Sequence, residues 1–198
     1  QGLFKRIIKG PFMTVGLGVQ VAIEPVESSG ILYVSFQCTR SLGDWFFNLL
    51  GFSNPAGQHF GLYWLASSGR KKIRRLCEKT GLTRIVVSGY SQGAALAAYT
   101  GEHLLEKGFK VSLCRFASPK LYRKSSVLTR ELYKGTLTVV VYGDPVTMLP
   151  PGWVELGKNL ELPKVGGADI EAPRVMPEYH EAGVYRKGLE NLEEQNGT

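Results

Sequence analysis

Residues 86–96 read VVSGYSQGAAL, an apolar run that ends on a serine, Ser91, set between Gly89 and Gly93. A bare Gly-x-Ser-x-Gly is weak in a chain with 24 glycines, so its flanks decide what it means. Upstream, TRIVVSG at 83–89 has the length and β-branched content of a buried strand. Downstream, AALAAYTGEHLLEK at 94–107 predicts a helix that stops at Gly108. A serine at the turn between a buried strand and a helix stands where a nucleophile elbow requires it. Gly89 and Gly93 suit a crowded turn, and Ala94, Ala95, Ala97 and Ala98 let the helix lie close to a sheet. The helix start also offers Ser91 its positive dipole end, which favours developing negative charge. In this setting a merely structural serine is the weaker reading.

A nucleophilic serine needs a base and an orienting acid, in the chain order Ser, Asp or Glu, His for this kind of turn. The chain has three histidines; His59 precedes Ser91, and His103 lies within the helix that Ser91 begins, which leaves His180. Asp44 also precedes Ser91. Asp144 directly follows the β-branched run TLTVVVYG at 136–143, whereas Asp169 sits in an irregular Gly-rich loop and reads as solvated. Elimination therefore selects Ser91, Asp144 and His180. In that assignment His180 takes the Ser91 proton, Asp144 orients the imidazole, and the backbone N–H of Gln92 donates to the oxyanion. A second oxyanion donor must come from an earlier loop.

Working outward, LGVQVAIEP at 17–25 and GILYVSFQ at 30–37 flank VESSG and predict a hairpin. SLGDWFFNLL at 41–50 looks helical, GFSNPAG at 51–57 reads as a loop, and a helix is expected over about 61–79. KVSLCRFAS at 110–118 is a further strand, and 125–133 a further helix. The stretch after residue 150 reads as irregular until about 179. Strands alternating with helices predict an α/β fold with a mostly parallel central sheet flanked by helices, made mixed by the early hairpin. With 198 residues, 43% of them hydrophobic, the chain reads as one domain over 1–198.

No apolar run approaches the ~20 residues that cross a bilayer, so the sequence reads as a soluble protein, at most surface-bound. Cys38, Cys77 and Cys114 have no metal-ligand spacing, and no metal or cofactor is expected. An odd, sparse cysteine set leans towards a reducing, intracellular setting. The first residue is Gln1, which marks a processed or trimmed chain and leaves room for a removed signal peptide. The net charge is +7, and its densest run is GRKKIRR at 69–75. Ile73, Leu76 and Cys77 recur there at helical spacing, so the run reads first as the solvated face of an amphipathic helix. Contact with an anionic membrane surface is the second reading; nucleic acid is not expected, because no recognition motif accompanies the charge.

In this order the motifs resemble the class 3 lipase family, the fungal-type triacylglycerol lipases and their relatives among the α/β-hydrolases. VSFQCTRSLGDWFFNL is similar to the family's strand, Arg-Gly-Thr/Ser turn and lid segment, and QHFGLYWL to its His-x-Gly-Phe helix start. IVVSGYSQGAALA resembles its serine elbow, and RFASPKLYR its Phe-Gly-x-Pro-Arg strand end. YGDPVTMLPP is similar to its Asn-Asp-Pro-Val-Pro-x-Leu-Pro-Pro, and YHEAGVY to its histidine followed by tyrosine. The resemblance covers roughly residues 30–190 and implies an α/β-hydrolase-like fold and hydrolysis of lipid esters, acylglycerol or phospholipid, without a cofactor. It implies that Thr39 supplies the second oxyanion donor. It also makes 41–50 a lid candidate, with Trp45, Phe46, Leu49 and Leu50 on its apolar arc; the rival reading is a buried helix. Gln37 and Cys38 replace the usual Arg-Gly, Ala117 and Ser118 a usual Phe-Gly-type position, and the N-terminal helices of larger fungal members have no expected counterpart. A small-ester hydrolase, a phospholipase A1 or an acyltransferase would use the same triad. An idle lipid-binding module is the reading from a different class.

Overall fold

The computed structural model describes residues 2–37, 53–123, 131–155, 157–162 and 177–196. The lid candidate 41–50 with Trp45, Phe46, Leu49 and Leu50, together with Cys38, Thr39, Asp44 and Asp169, lies outside the described residues.

The predicted hairpin is present. β2 (Val19–Val26) and β3 (Ile31–Phe36) pair antiparallel across a short 3-10 turn at Glu27–Ser29, and Gly30 closes the turn in the left-handed region. A short β1 (Met13–Val15) pairs antiparallel with β2 on the outer side. From β3 onward the sheet is parallel: β4 (Arg84–Tyr90), β5 (Lys110–Phe116), β6 (Leu137–Val141) and β7 (Lys158–Leu162) follow in that order. The seven strands therefore lie in the sheet in the order of the chain. The sheet is mixed and flanked by helices, as the alternation of motifs predicts.

Alternating side chains divide the packing between two faces. On one face α2 (Phe60–Lys79) and α3 (Gln92–Glu106) cover Leu32, Val34, Phe36, Ile85, Val87 and Leu113. Both helices press small residues inward: Ala66 and Gly69 from α2, and the run Gly93 to Ala98 around Leu96 from α3. On the opposite face α1 (Gly2–Lys9) and α5 (Ala182–Asn196) pack Phe4, Ile7, Tyr185 and Leu189 against Phe116, Val139, Val141 and Leu162. Tyr90, at the end of β4, belongs to this second cluster.

Three sequence readings need correction. The region after residue 150 contains a strand, β7, which extends the parallel sheet through Lys158–Leu162 against β6. Of the helix expected over 125–133, residues 125–130 lie outside the described residues, and its end belongs instead to a 3-10 segment at Glu131–Gly135. A helix, α1, also precedes the first strand, where none was expected. The basic run behaves as its first reading predicts: Ile73 and Cys77 point into the core from α2 while Lys71, Lys72 and Arg75 are exposed. Burial pushes the Cys77 thiol up to about 12 and that of Cys114 to about 11, so both sit as small protonated hydrophobes.

Candidate active site

The backbone at Ser91 is itself unusual. Ser91 has φ 56° and ψ −123°, a conformation that L residues adopt only under constraint. The constraint comes from the strand and helix that meet there. The Ser91 N–H donates to Phe116 O on the neighbouring strand at 2.9 Å, and the Ala94 N–H donates back to Ser91 O at 3.0 Å. A Cβ on Gly89 would stand 2.1 Å from Gly93 O, and one on Gly93 would stand 2.7 Å from Phe36 O. No side chain fits at either position, which is the physical content of the Gly-x-Ser-x-Gly spacing. Gln92 opens α3, so its N–H belongs to the group at a helix start that has no acceptor within the helix.

The three residues chosen by elimination meet at this turn. Ser91 Oγ is 2.7 Å from His180 Nε2. His180 Nδ1 lies 2.9 Å from Asp144 Oδ2 and 3.0 Å from Oδ1. Serine, histidine and aspartate are all buried, Asp144 completely so. Asp144 is the N-cap of a single turn of helix, α4 (Pro145–Met148): its Oδ1 accepts the Val146 N–H at 2.9 Å, with Pro145 at the first helical position. A buried carboxylate needs such donors to remain an anion.

Two tyrosines complete the arrangement, and the sequence reading did not single out either as a functional residue. The Tyr185 hydroxyl donates to Asp144 Oδ2 at 2.7 Å and accepts the Val141 N–H at 3.1 Å, which ties helix α5 to the end of β6. Burial and the neighbouring Asp144 charge hold that hydroxyl far above the ordinary tyrosine range. The Tyr90 hydroxyl donates to the backbone carbonyl of His180, and its ring lies 5.5 Å from the imidazole. The two tyrosine rings meet edge to face at 5.4 Å. One signal was available in part: a tyrosine follows the histidine in YHEAGVY, though only the fold shows what its hydroxyl reaches.

The other candidates fall elsewhere. His59 caps α2, accepting the Leu62 N–H on Nδ1 at 3.5 Å, with the Trp153 ring 5.9 Å away. His103 lies on α3, where burial lowers its pKa below the usual histidine value. Among the described residues no group of His, Cys, Asp and Glu is arranged to hold a metal ion. Chemically, the Ser91–His180–Asp144 chain can move a proton from a hydroxyl to an imidazole and stabilise the resulting cation.

Known proteins match both the fold and the sequence. LIH1 of Saccharomyces cerevisiae, named "Putative lipase LIH1", is 34% identical over 115 residues, 48% of this chain and 35% of its own. The triacylglyceride lipase of Rhizomucor miehei superposes with a TM-score of 0.64 at 15% identity, over 76% of this chain and 64% of that one. A triacylglycerol lipase described as having a serine protease triad as its catalytic centre superposes equally well, with a TM-score of 0.64 at 17% identity, over 80% and 66%. The chain thus spans about a third of the curated relative and less than two thirds of these solved structures. The sequence model described as Lipase (class 3) matches residues 33–153, from β3 past the elbow and Asp144. With more than half of its length under that match, the chain belongs to the class 3 lipase family.

Proposed function

We propose that this chain hydrolyses carboxylic esters of lipids, with Ser91 as nucleophile, His180 as general base and acid, and Asp144 as the group that orients the imidazole. The observation that carries the reading is the unbroken buried chain from Ser91 Oγ through His180 to Asp144, with separations of 2.7 and 2.9 Å. In the tautomer with its proton on Nδ1, His180 donates to Asp144 and its Nε2 accepts from Ser91. As Ser91 Oγ attacks the ester carbonyl, its proton passes to Nε2, and the imidazolium is balanced by Asp144. The proton then goes to the leaving alcohol, and an acyl group remains on Ser91. Water attacks that acyl-enzyme and gives its proton to Nε2; the bond to Ser91 Oγ then breaks, Nε2 returns the proton to Oγ, and the acid is released.

The oxyanion formed in both steps would be held by the N–H of Gln92 at the start of α3, with Thr39 as the second donor that the family resemblance implies. The family membership supports lipid esters as the substrate class. The triacylglycerol lipase with a serine protease triad offers a fold-level parallel for the chemistry. The test is labelling by a fluorophosphonate probe, followed by hydrolysis of esters of graded acyl length, dissolved and dispersed. Labelling that disappears in Ser91→Ala and turnover that rises for dispersed long-chain esters support the proposal. A wild-type protein that neither labels nor turns over any ester overturns it.

A further inference from the structure

Helix α2 has an outer face that the site does not use. Its buried residues are Leu62, Ala66, Gly69, Ile73 and Cys77. At the helical period, Phe60, Trp64, Lys71 and Arg75 fall on one stripe on the opposite side. Phe60 and Trp64 are 57% and 58% exposed, one turn apart, and they are the most exposed large apolar side chains among the described residues. Lys71 and Arg75 are exposed as well. Three other cations of the helix are engaged, while Lys79 ends it exposed: Arg70 donates to the Tyr63 hydroxyl at 3.1 Å, Lys72 to Thr14 O at 3.4 Å, and Arg74 pairs with Glu78 at 3.6 Å. Glu78 is the one acid in α2 and lies at its far end from the aromatic pair.

The placement of the stripe gives it a direction. β3 and β4 are parallel, so α2 starts at the sheet edge where β3 ends and runs back to the edge where β4 starts. The Phe60 end therefore lies at the edge from which Ser91 follows β4. At ~1.5 Å per residue, Lys71 sits roughly 10 Å further along the axis than Trp64. A lipid headgroup layer is roughly 5–8 Å thick. When the aromatic pair reaches the acyl boundary, Lys71 is near the outer limit of the phosphates, within the reach of its long side chain. Arg75, ~16 Å along the axis from Trp64, meets them when the helix tilts its outer stripe towards the surface.

We infer that this outer stripe of α2 docks the protein on an anionic bilayer, with Phe60 and Trp64 in the interfacial layer and Lys71 and Arg75 against lipid phosphates. Docking in this way turns the Ser91 edge of the sheet towards the lipid. Aromatic rings with an apolar body suit that layer, and the lack of any acid in α2 before Glu78 matches the sign of the surface. The inference rests on the lipid-ester reading for its purpose but is measured without catalysis.

The experiment is co-sedimentation of the full chain with vesicles of phosphatidylcholine alone and of phosphatidylcholine mixed with phosphatidylglycerol. Phe60→Ser with Trp64→Ser should lower partitioning onto the mixed vesicles by ~10-fold or more. Lys71→Glu with Arg75→Glu should lower it on mixed vesicles only, with the difference closing at high salt. Turnover of a dissolved short-chain nitrophenyl ester should be unchanged in both pairs, which also reports an intact fold. Partitioning of both pairs within about twofold of the wild type overturns the inference. So does unchanged vesicle binding accompanied by loss of self-association in light scattering, which would make the stripe a contact between copies of the chain. A wild type that binds vesicles through this stripe but leaves the dissolved ester intact would sink the hydrolase reading and leave the docking surface standing.

Discussion

Ser91 and His180 face each other across 2.7 Å, yet the protein holds them by different means. Ser91 is fixed by backbone: a strand end, a helix start and two glycines with no room for a Cβ. His180 is fixed mainly by side chains: the Tyr90 hydroxyl holds its carbonyl, and the Tyr185 hydroxyl, with the backbone N–H of Val146, holds the carboxylate that orients its ring. The first arrangement is local and steric. The second is long-range and polar, so it should yield by degrees where the first yields all at once.

The largest expected effect removes the shared chemistry. Ser91→Ala should lower turnover by up to ~10⁶-fold with the fold retained, His180→Ala by a similar amount, and Asp144→Ala by less. Ester hydrolysis by purified variants measures this, and a Ser91→Ala protein with most of its activity would end the assignment. Next comes the steric side of the comparison. Gly93→Val must drive a side chain into the Phe36 and Gln37 carbonyls, and a loss of more than ~4 kcal/mol of stability is expected. Denaturant unfolding would show it as a protein largely unfolded in buffer or with a sharply lowered midpoint.

The polar side should respond more gently. Tyr185→Phe keeps the ring against Tyr90 but removes one donor from Asp144 and the acceptor of the Val141 N–H. A hydrogen bond to a charged group is worth about 1.5–3 kcal/mol, so kcat should fall by about tenfold or somewhat more while KM stays close to wild type. Tyr90→Phe removes a bond to a neutral carbonyl only, and its loss should be a few-fold, in line with about 1 kcal/mol. Equal and total loss in both variants would mean that the histidine side is as brittle as the serine side.

The smallest expected effect sharpens the role of Tyr185. Because burial and Asp144 raise its pKa, its proton stays in place when ordinary tyrosines ionise near pH 10. The ratio of wild-type to Tyr185→Phe turnover should therefore remain constant as pH approaches 10. The linked stability has a defined sign: in the unfolded chain the tyrosine ionises near 10 while the folded state keeps it protonated, so this contribution is present below that value and declines above it. A ratio that collapses towards one before pH 10 would show an ordinary hydroxyl.

The same contrast explains how much could be read from the sequence. The elbow was legible because its cause is local: β-branched strand, glycines at two fixed positions, small residues in the next turn. Asp144 and His180 were legible for a poorer reason, namely that few rivals of either type follow Ser91. Tyr90 and Tyr185 were not assigned these roles, because their contacts join residues 90 and 41 positions apart; YHEAGVY marks the position of Tyr185 but not what its hydroxyl reaches. Strand β7 was missed because KNLEL is largely polar and sits on the sheet edge with three exposed residues. Helix α1, an eight-residue amphipathic segment, earns its shape from packing against Tyr90 and Phe116 rather than from terminal signals.

The order of the sheet has a consequence for synthesis. Seven strands arranged in chain order can be added one after another, each beside its predecessor, as the polypeptide leaves the ribosome. Ser91 is in place once β5 has emerged, since its N–H bonds to Phe116. His180 is translated 89 residues after Ser91. At ~5–20 residues per second, Ser91 therefore waits roughly 4–18 s for its hydrogen-bond partner. Until the first turns of α5 settle and Tyr185 reaches Asp144, the nascent chain holds an unactivated serine.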